Sequence, residues 1–337
     1  MTVLVTGAAG FLGMHVALRL LKRGEHVIGV DNLDEYYSLE LKEARLAELE
    51  EHRNFQFHYL DIGDPKATAA VFAIHPEIEW VMHLAAQVGV GHSLANPQAF
   101  LSTNIAGMFI LLEECRKLKR LKHVVYGSSS AVYGGNRKVP FAETDLADQP
   151  RSVYAASKRA DELLAAAYAH ISQVPMTGLR LFAIYGPRGR PDMFYYAFTK
   201  AIQDGRPIKV YNNGDFKRDF TYVDDAVEGV LRTLDKVATP DPNWRPEAPD
   251  SATSSAPYRV YNIGNNSPVA LIDYIAAIEK ALGRTAKIEL LPQQPGDVEA
   301  TYAGVEALKE ATGFQPSTPL EEGIERFVAW YRDYYRV

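Results

Sequence analysis

Residues 3–13, VLVTGAAGFLG, lead a β-branched apolar run into a helical pattern through three glycines, Gly7, Gly10 and Gly13. No other stretch restricts the fold as much. With a strand before it and a helix after it, Gly7 permits a tight turn and Gly10 lets backbone approach a ligand. Gly13 lets the helix pack close to a sheet. The N-terminus of such a helix offers N–H donors and positive potential to a pyrophosphate. The spacing, G-x-x-G-x-x-G, has one more residue in its first gap than the usual dinucleotide fingerprint, and such glycines also occur in plain strand–helix turns.

The chain downstream repeats this grammar. Apolar runs at 26–30, 55–60, 80–85 and 124–128 predict strands, while 11–23, 39–52, 97–118 and 153–172 predict helices. Continuous apolar strands alternating with amphipathic helices predict an α/β fold with a doubly wound parallel sheet. After Gly178 the connections lengthen and Pro and Gly become denser, as in YGPRGRPDM (185–193). Short strands are expected there at 179–183, 220–222 and 259–263, and helices at 193–203, 225–236, 271–282 and 320–335. At 337 residues the chain is long for one core. We divide it into a Rossmann domain, 1–180 with the chain returning around 216–262, and a smaller C-terminal α/β substrate domain, 181–215 and 263–337. The stretch 239–257, rich in Pro, Ser, Asp and Ala, is expected to be an exposed, mobile loop.

Composition excludes several function classes. A net charge of −6 gives no basic field for nucleic acid. No apolar run approaches the roughly 18–20 residues that span a bilayer, and the N-terminus lacks the basic flank of a signal peptide. One cysteine, Cys115, rules out an internal disulfide framework and suits a reducing compartment. The expectation is a cytoplasmic protein with no membrane contact. His52, His58, His75 and His92 lack carboxylates at metal-ligand spacing, His83 reads as a buried strand-end histidine, and no metal is expected.

Further polar or small residues stand just past successive strand ends. Asp31 follows the second strand, where a carboxylate accepts both hydroxyls of an adenosine ribose and repels a 2′-phosphate, which favours NAD over NADP. A simple turn residue there would look the same. Asn32 adjoins it, Asp61 and Ile62 are placed to flank an adenine, and Leu84, Ala85, Ala86 and Gln87 to pass beneath the pyrophosphate and nicotinamide ribose. With Phe11 and Leu12 at the helix mouth, and with Asn104 and Lys158, these complete the expected cofactor set.

The fifth predicted strand runs into Ser128, Ser129 and Ser130, and the following helix begins SVYAASK (152–158). Tyr154 and Lys158 stand four apart, on one helix face. A nearby ammonium favours the phenolate, so a tyrosine with an ordinary pKa near ~10 can accept a proton near neutrality. A serine hydroxyl would share the substrate oxygen with it. Tyr-x-x-x-Lys is common by chance; its conjunction with the glycine loop, Asp31 and the serine strand end gives it weight.

TGAAGFLG, HLAAQ and the pairing of SSS with YAASK resemble the extended short-chain dehydrogenase/reductase superfamily and, over essentially the full length, its nucleotide-sugar epimerases. DNLDEYYSLELKEARL, YGPRGRPDM, KRDFTYVDDAVEGV, YNIGNN and QPGDVEATYA resemble the UDP-glucuronate 4-epimerases in particular. That resemblance implies tightly held NAD and inversion of a sugar C4. Tyr154 would take the O4 proton as C4 passes its hydride to NAD⁺, and the 4-keto sugar would turn and recover it on the other face. Lys158 would hold the nicotinamide ribose, and Ser129 would be the catalytic serine with Ser128 and Ser130 as neighbours. Arg218 would bind the diphosphate of a UDP-sugar, and Asp297 would contribute to its uridine, ribose and sugar contacts. Arg190 would bind the uronate or brace a loop. Related dehydratases carry Asp-Glu, and decarboxylases a Glu, where this chain has Ser130 and Ala131, which argues for plain epimerisation. Ala183 and Ala131 depart from the glucuronate pattern, where hydroxyl residues are usual, whereas Gln294 agrees with it. UDP-glucose/UDP-galactose epimerisation therefore stands as the alternative. A homodimer through the helices at 97–118 and 153–172 is a further family expectation.

Overall fold

The apolar runs of the first half become strands because both of their faces are buried. Val3 and Val5 enter one core and Leu4 the other; Val125 enters the first, Val124 and Tyr126 the second. The computed structural model describes residues 1–292 and 300–337. Its strands are β1 (Thr2–Thr6), β2 (His26–Asp31), β3 (Phe55–Tyr59), β4 (Trp80–His83), β5 (His123–Ser129), β6 (Met176–Leu181), β7 (Ala183–Tyr185), β8 (Pro207–Val210), β9 (Lys217–Tyr222), β10 (Tyr258–Ile263), β11 (Pro268–Ala270) and β12 (Lys287–Leu290). Seven form a sheet in the order β10-β6-β5-β4-β1-β2-β3, every pairing parallel. The strand order reverses between β1 and β4, so a crevice opens beyond their C-terminal ends.

Helices cover both faces. Phe11–Lys22 and Val223–Asp235 pack together on one. Pro65–Ile74, Gly107–Cys115 and Val153–Ser172 cover the other. The smaller sheets set β9 between parallel β7 and antiparallel β11, and pair β8 with β12. Around them an aromatic cluster that includes Tyr185, Tyr195, Phe220, Tyr274 and Phe327 joins the first core without a break.

Several elements differ from expectation. The helix expected at 97–118 is interrupted: a π turn at Leu101–Ala106 separates Pro97–Phe100 from Gly107–Cys115. The wider turn sits where Asn104 points inward, 1% exposed. The helix Pro65–Ile74 was not expected; Asp64 caps it and Pro65 starts it, but its alanines give no clear stripe. In the 239–257 stretch, expected to be wholly exposed, Ala252, Ser254 and Ala256 are buried. There Asp241 N–H bonds the Ser254 carbonyl at 2.8 Å, and Val260 N–H on β10 bonds the Ala252 carbonyl at 2.9 Å. Small side chains let this segment lie against the sheet edge. Lys217–Tyr222, expected in the large sheet, falls in the three-stranded sheet, and the chain rejoins the large sheet through Val223–Asp235 and β10.

Asn104 accepts from Gln87 N–H at 2.8 Å and donates to the Gln87 carbonyl at 3.1 Å and to Ser157 Oγ at 2.8 Å. It therefore fixes the segment after β4 to the helix Val153–Ser172. Asn104→Ala strands buried polar groups of Gln87 and is expected to lower stability by about 1–3 kcal/mol. Thermal unfolding of the purified variant checks this.

Candidate active site

A cleft of about 490 Å³ opens at the C-terminal ends of β1, β2, β4 and β5. Gly7 begins its floor. The loop turns back on β2, with Gly7 N–H bonding the Val30 carbonyl at 2.7 Å, and Gly7 takes a φ of +74°. A Cβ on Gly7 would lie 2.7 Å from Ala85 N, and one on Gly13 would lie 1.9 Å from the Gly7 oxygen. Only glycine allows this packing. Gly10 gives the helix Phe11–Lys22 no side-chain cap, so its first-turn N–H groups face the cleft beside Phe11 and Leu12.

Asp31 is both turn residue and site residue. Its Oδ2 accepts from Ala9 N–H at 3.0 Å and its Oδ1 from Leu33 N–H at 2.8 Å, and it lines the cleft. Burial raises its pKa, while the Leu33 amide and the Lys42 ammonium pull the other way. Asn32 donates to Asp61 Oδ2 at 3.0 Å, which sets both at the rim with Ile62. Leu84, Ala85, Ala86 and Gln87 line the opposite wall. A tight glycine cradle, open helix N–H groups and a buried carboxylate at the second strand end fit a dinucleotide. Asn104 is not in the wall; it braces Gln87 from behind.

Ser128, Ser129, Ser130, Tyr154 and Lys158 come together at the inner end. The helix Val153–Ser172 starts here because Ser152 Oγ accepts from Ala155 N–H at 3.0 Å, which sets Tyr154 in the first turn. The Tyr154 ring meets the edge of Phe100 at 6.1 Å between centroids. Ser129 Oγ accepts from Ala131 N–H at 3.2 Å and caps the turn Ser130–Tyr133. Ser128 is differently engaged: its hydroxyl donates to Glu162 Oε1 at 2.6 Å. Glu162 also accepts fully buried Arg180 in a bidentate pair at 2.9 Å and the partly exposed Arg159 at 2.7 Å. That places Ser128 in the scaffold. Lys158 Nζ donates to Asp161 Oδ2 at 3.1 Å.

Arg190 and Arg218 border the outer end. Arg190 forms a bidentate pair with Asp192 in its own loop, at 3.0 and 2.6 Å, and Tyr36 O–H donates to Asp192 at 3.3 Å. Of its two expected roles, the structure displays loop bracing. Arg218 lies over the Phe216 ring at 4.6 Å. Asp297 and Gln294 lie outside the described residues. The expected buried histidine, His83, is 2% exposed; its Nδ1 lies 2.7 Å from Thr6 Oγ1 and burial pushes its pKa down to about 3.

Sequence reasoning missed the contribution of 34–45. Asp34, Tyr36, Tyr37 and Lys42 line the cleft. Arg45, fully buried, donates to the carbonyls of Ala9, Arg188 and Gly189 and to Tyr37 O–H. One guanidinium thus ties the glycine loop to the loop that carries Arg190. The charged pattern of DEYYSLELKEARL suggests a solvated helix; the signal lay in its two buried cations, Lys42 and Arg45, spaced to share one face. Gly13→Ala is expected to leave the protein folded but to deplete bound NAD, because the new methyl displaces the Gly7 carbonyl. The NAD content of the purified variant, read against wild type, checks this.

The model of the NAD dependent epimerase/dehydratase family matches residues 3–264. A probable UDP-glucuronate 4-epimerase of Rhizobium meliloti (strain 1021) is 44% identical over 338 residues, covering 100% of this chain and 98% of that one. The Bacillus cereus UDP-glucuronic acid 4-epimerase, solved with UDP-glucuronic acid and NAD, superposes with a TM-score of 0.88 at 30% identity, over 99% of this chain and 100% of that one. The Thermotoga maritima UDP-glucose 4-epimerase, solved with UDP-glucose, gives 0.86 at 30% identity over the same shares. With its glycine cradle, its strand-end carboxylate and its Tyr154–Lys158 helix, the chain belongs to the NAD dependent epimerase/dehydratase family.

Proposed function

We propose that this protein inverts C4 of a UDP-sugar through a transient 4-keto intermediate, converting UDP-glucuronate and UDP-galacturonate into one another. The observation that carries the reading is the meeting of Tyr154, Lys158 and Ser129 at the inner end of a dinucleotide cleft whose adjoining turn, Ser130–Tyr133, carries no carboxylate. NAD, when bound, supplies the oxidation and re-reduction of C4. Tyr154 takes the O4 proton and returns it. Lys158 supplies positive charge that favours the phenolate, and Ser129 orients the same oxygen. With neither Asp nor Glu at 130 or 131, the site lacks the extra acid that elimination or decarboxylation calls for. Residues 1–180 hold the dinucleotide, and 181–222 with 263–337 hold the UDP-sugar, Arg218 at the cleft border facing its diphosphate.

A second reading, UDP-glucose/UDP-galactose epimerisation, draws on two observations. Arg190 is already paired with Asp192, and Ala183 gives that wall a methyl group in place of a hydroxyl. NMR of the as-purified protein with each UDP-sugar, without added NAD, separates the two. Formation of the galacto-configured uronate supports the main reading, and turnover of only the neutral sugar replaces it. Tyr154→Phe is expected to lower kcat at least ~100-fold while NAD content stays at the wild-type level.

The enzyme is proposed to be a cytoplasmic homodimer. Leu101, Phe109 and Leu163 are 46%, 48% and 57% exposed along the π turn and the helices Gly107–Cys115 and Val153–Ser172, an apolar strip that suits a second copy. Leu163→Glu with Phe109→Glu is expected to halve the mass in sedimentation analysis; a monomeric wild type would overturn the dimer.

A further inference from the structure

We infer that Asp161 is a positioning residue for Lys158, the buried counter-charge that keeps its ammonium protonated and aimed at the Tyr154 side of the cleft. The inference rests on the reading of Tyr154 as the proton acceptor. Tyr154, Lys158 and Asp161 follow at i, i+4 and i+7 along one helix, so they share a face. Lys158 is 4% and Asp161 1% exposed, with Nζ and Oδ2 3.1 Å apart. Burial disfavours a charged ammonium, and a paired carboxylate offsets that cost. A neutral Lys158 could not favour the phenolate.

The groups around the pair leave that task to Asp161. From β4, His83 faces Lys158, and burial holds it neutral at ordinary pH. From β5 comes Tyr126, fully buried and also held neutral. On the same helix, Glu162 is taken up by Arg180, Arg159 and Ser128. Across the cleft, Arg190 faces Tyr154 but is paired with Asp192. Among the described residues, Asp161 is thus the carboxylate hydrogen-bonded to Lys158, and its Oδ1 has no hydrogen-bond partner. Burial pushes the Asp161 carboxyl up to about 6 against the pull of Lys158, so it is ionised at neutral pH and loses its charge on mild acidification.

The test is the pH profile of holoenzyme carrying D161N, which keeps shape and a hydrogen-bond acceptor but not the charge. The acid limb of kcat is expected to move to higher pH by about one unit or more, with KM for the UDP-sugar changed less than twofold. D161E, which keeps the charge, should stay near wild type. The tyrosinate absorbance of Tyr154, taken as the difference from Y154F, should show the same rise in its pKa without needing turnover. It therefore reads Asp161 even if the substrate assignment fails, which inactivity of the wild type toward both UDP-sugars would reveal. In a K158R background the guanidinium stays charged unaided, so D161N should no longer shift the tyrosinate titration. D161S is read in the same way if D161N does not fold. An acid limb and a tyrosinate pKa that stay in place or move to lower pH would overturn the proposal, as would a shift that persists in K158R.

Discussion

A tight steric constraint lies between two glycines. The helix Phe11–Lys22 approaches its preceding loop so tightly that a methyl at Gly13 would fall 1.9 Å from the Gly7 oxygen. Much of the site's placement follows from that contact. The helix N-terminus is drawn over the ends of β1 and β4, where the strand order reverses. Ala9 N–H is turned onto Asp31, and the Ala9 carbonyl onto Arg45. Arg45 carries the constraint onward to Arg188 and Gly189, and so to the outer wall of the cleft. The glycine loop is therefore a structural hub as well as an anion cradle.

Burying Arg45 with no carboxylate ion pair among the described residues has a physical logic. Its donors are taken by three carbonyls and a phenol, so polar satisfaction replaces charge pairing. The other fully buried arginine, Arg180, takes the opposite course and pairs with Glu162. That pair also fixes Ser128, the serine between the sheet and the reacting end of the cleft. A buried pair of this kind adds little net stability, but losing one partner leaves an isolated buried charge. Its consequence here is geometric: the β5 strand end is held while Ser129, one residue on, faces the cleft.

What the sequence discloses follows from periodicity and from local chemistry. The strands of the large sheet were legible because alternate residues such as Val3 and Leu4 are buried in opposite cores, which leaves no polar face to confuse the pattern. The positions of Gly7, Gly13, Asp31, Tyr154 and Lys158 along one cleft were legible because each stands next to a strand end or in the opening turns of a helix. β8, β11 and β12 were not, since they span three or four residues with partners distant in sequence. The π turn was hidden too: it coincides with the tertiary bonds between Asn104 and Gln87, which no local propensity encodes. The anchoring of Ser128 was hidden for the same reason, its partner Glu162 standing 34 residues away.

The outer wall shows how one scaffold can accommodate related sugars. Arg190 is held by Asp192, Asp192 is touched by Tyr36, and Tyr36 packs on His92 with ring centroids 4.1 Å apart. These groups come from two loops and the short helix Val90–Ala95. An arginine paired with a carboxylate in its own loop presents a nearly neutral surface, yet the guanidinium has donors beyond the two that Asp192 takes. A uronate approaching it would gain hydrogen bonds without displacing the pair, whereas a hydroxymethyl group would meet no strong charge. Tyr36 and Asp192 hold the guanidinium here, and Arg45 pins the neighbouring carbonyls of Arg188 and Gly189. The substrate end and the cofactor end are accordingly parts of one braced unit.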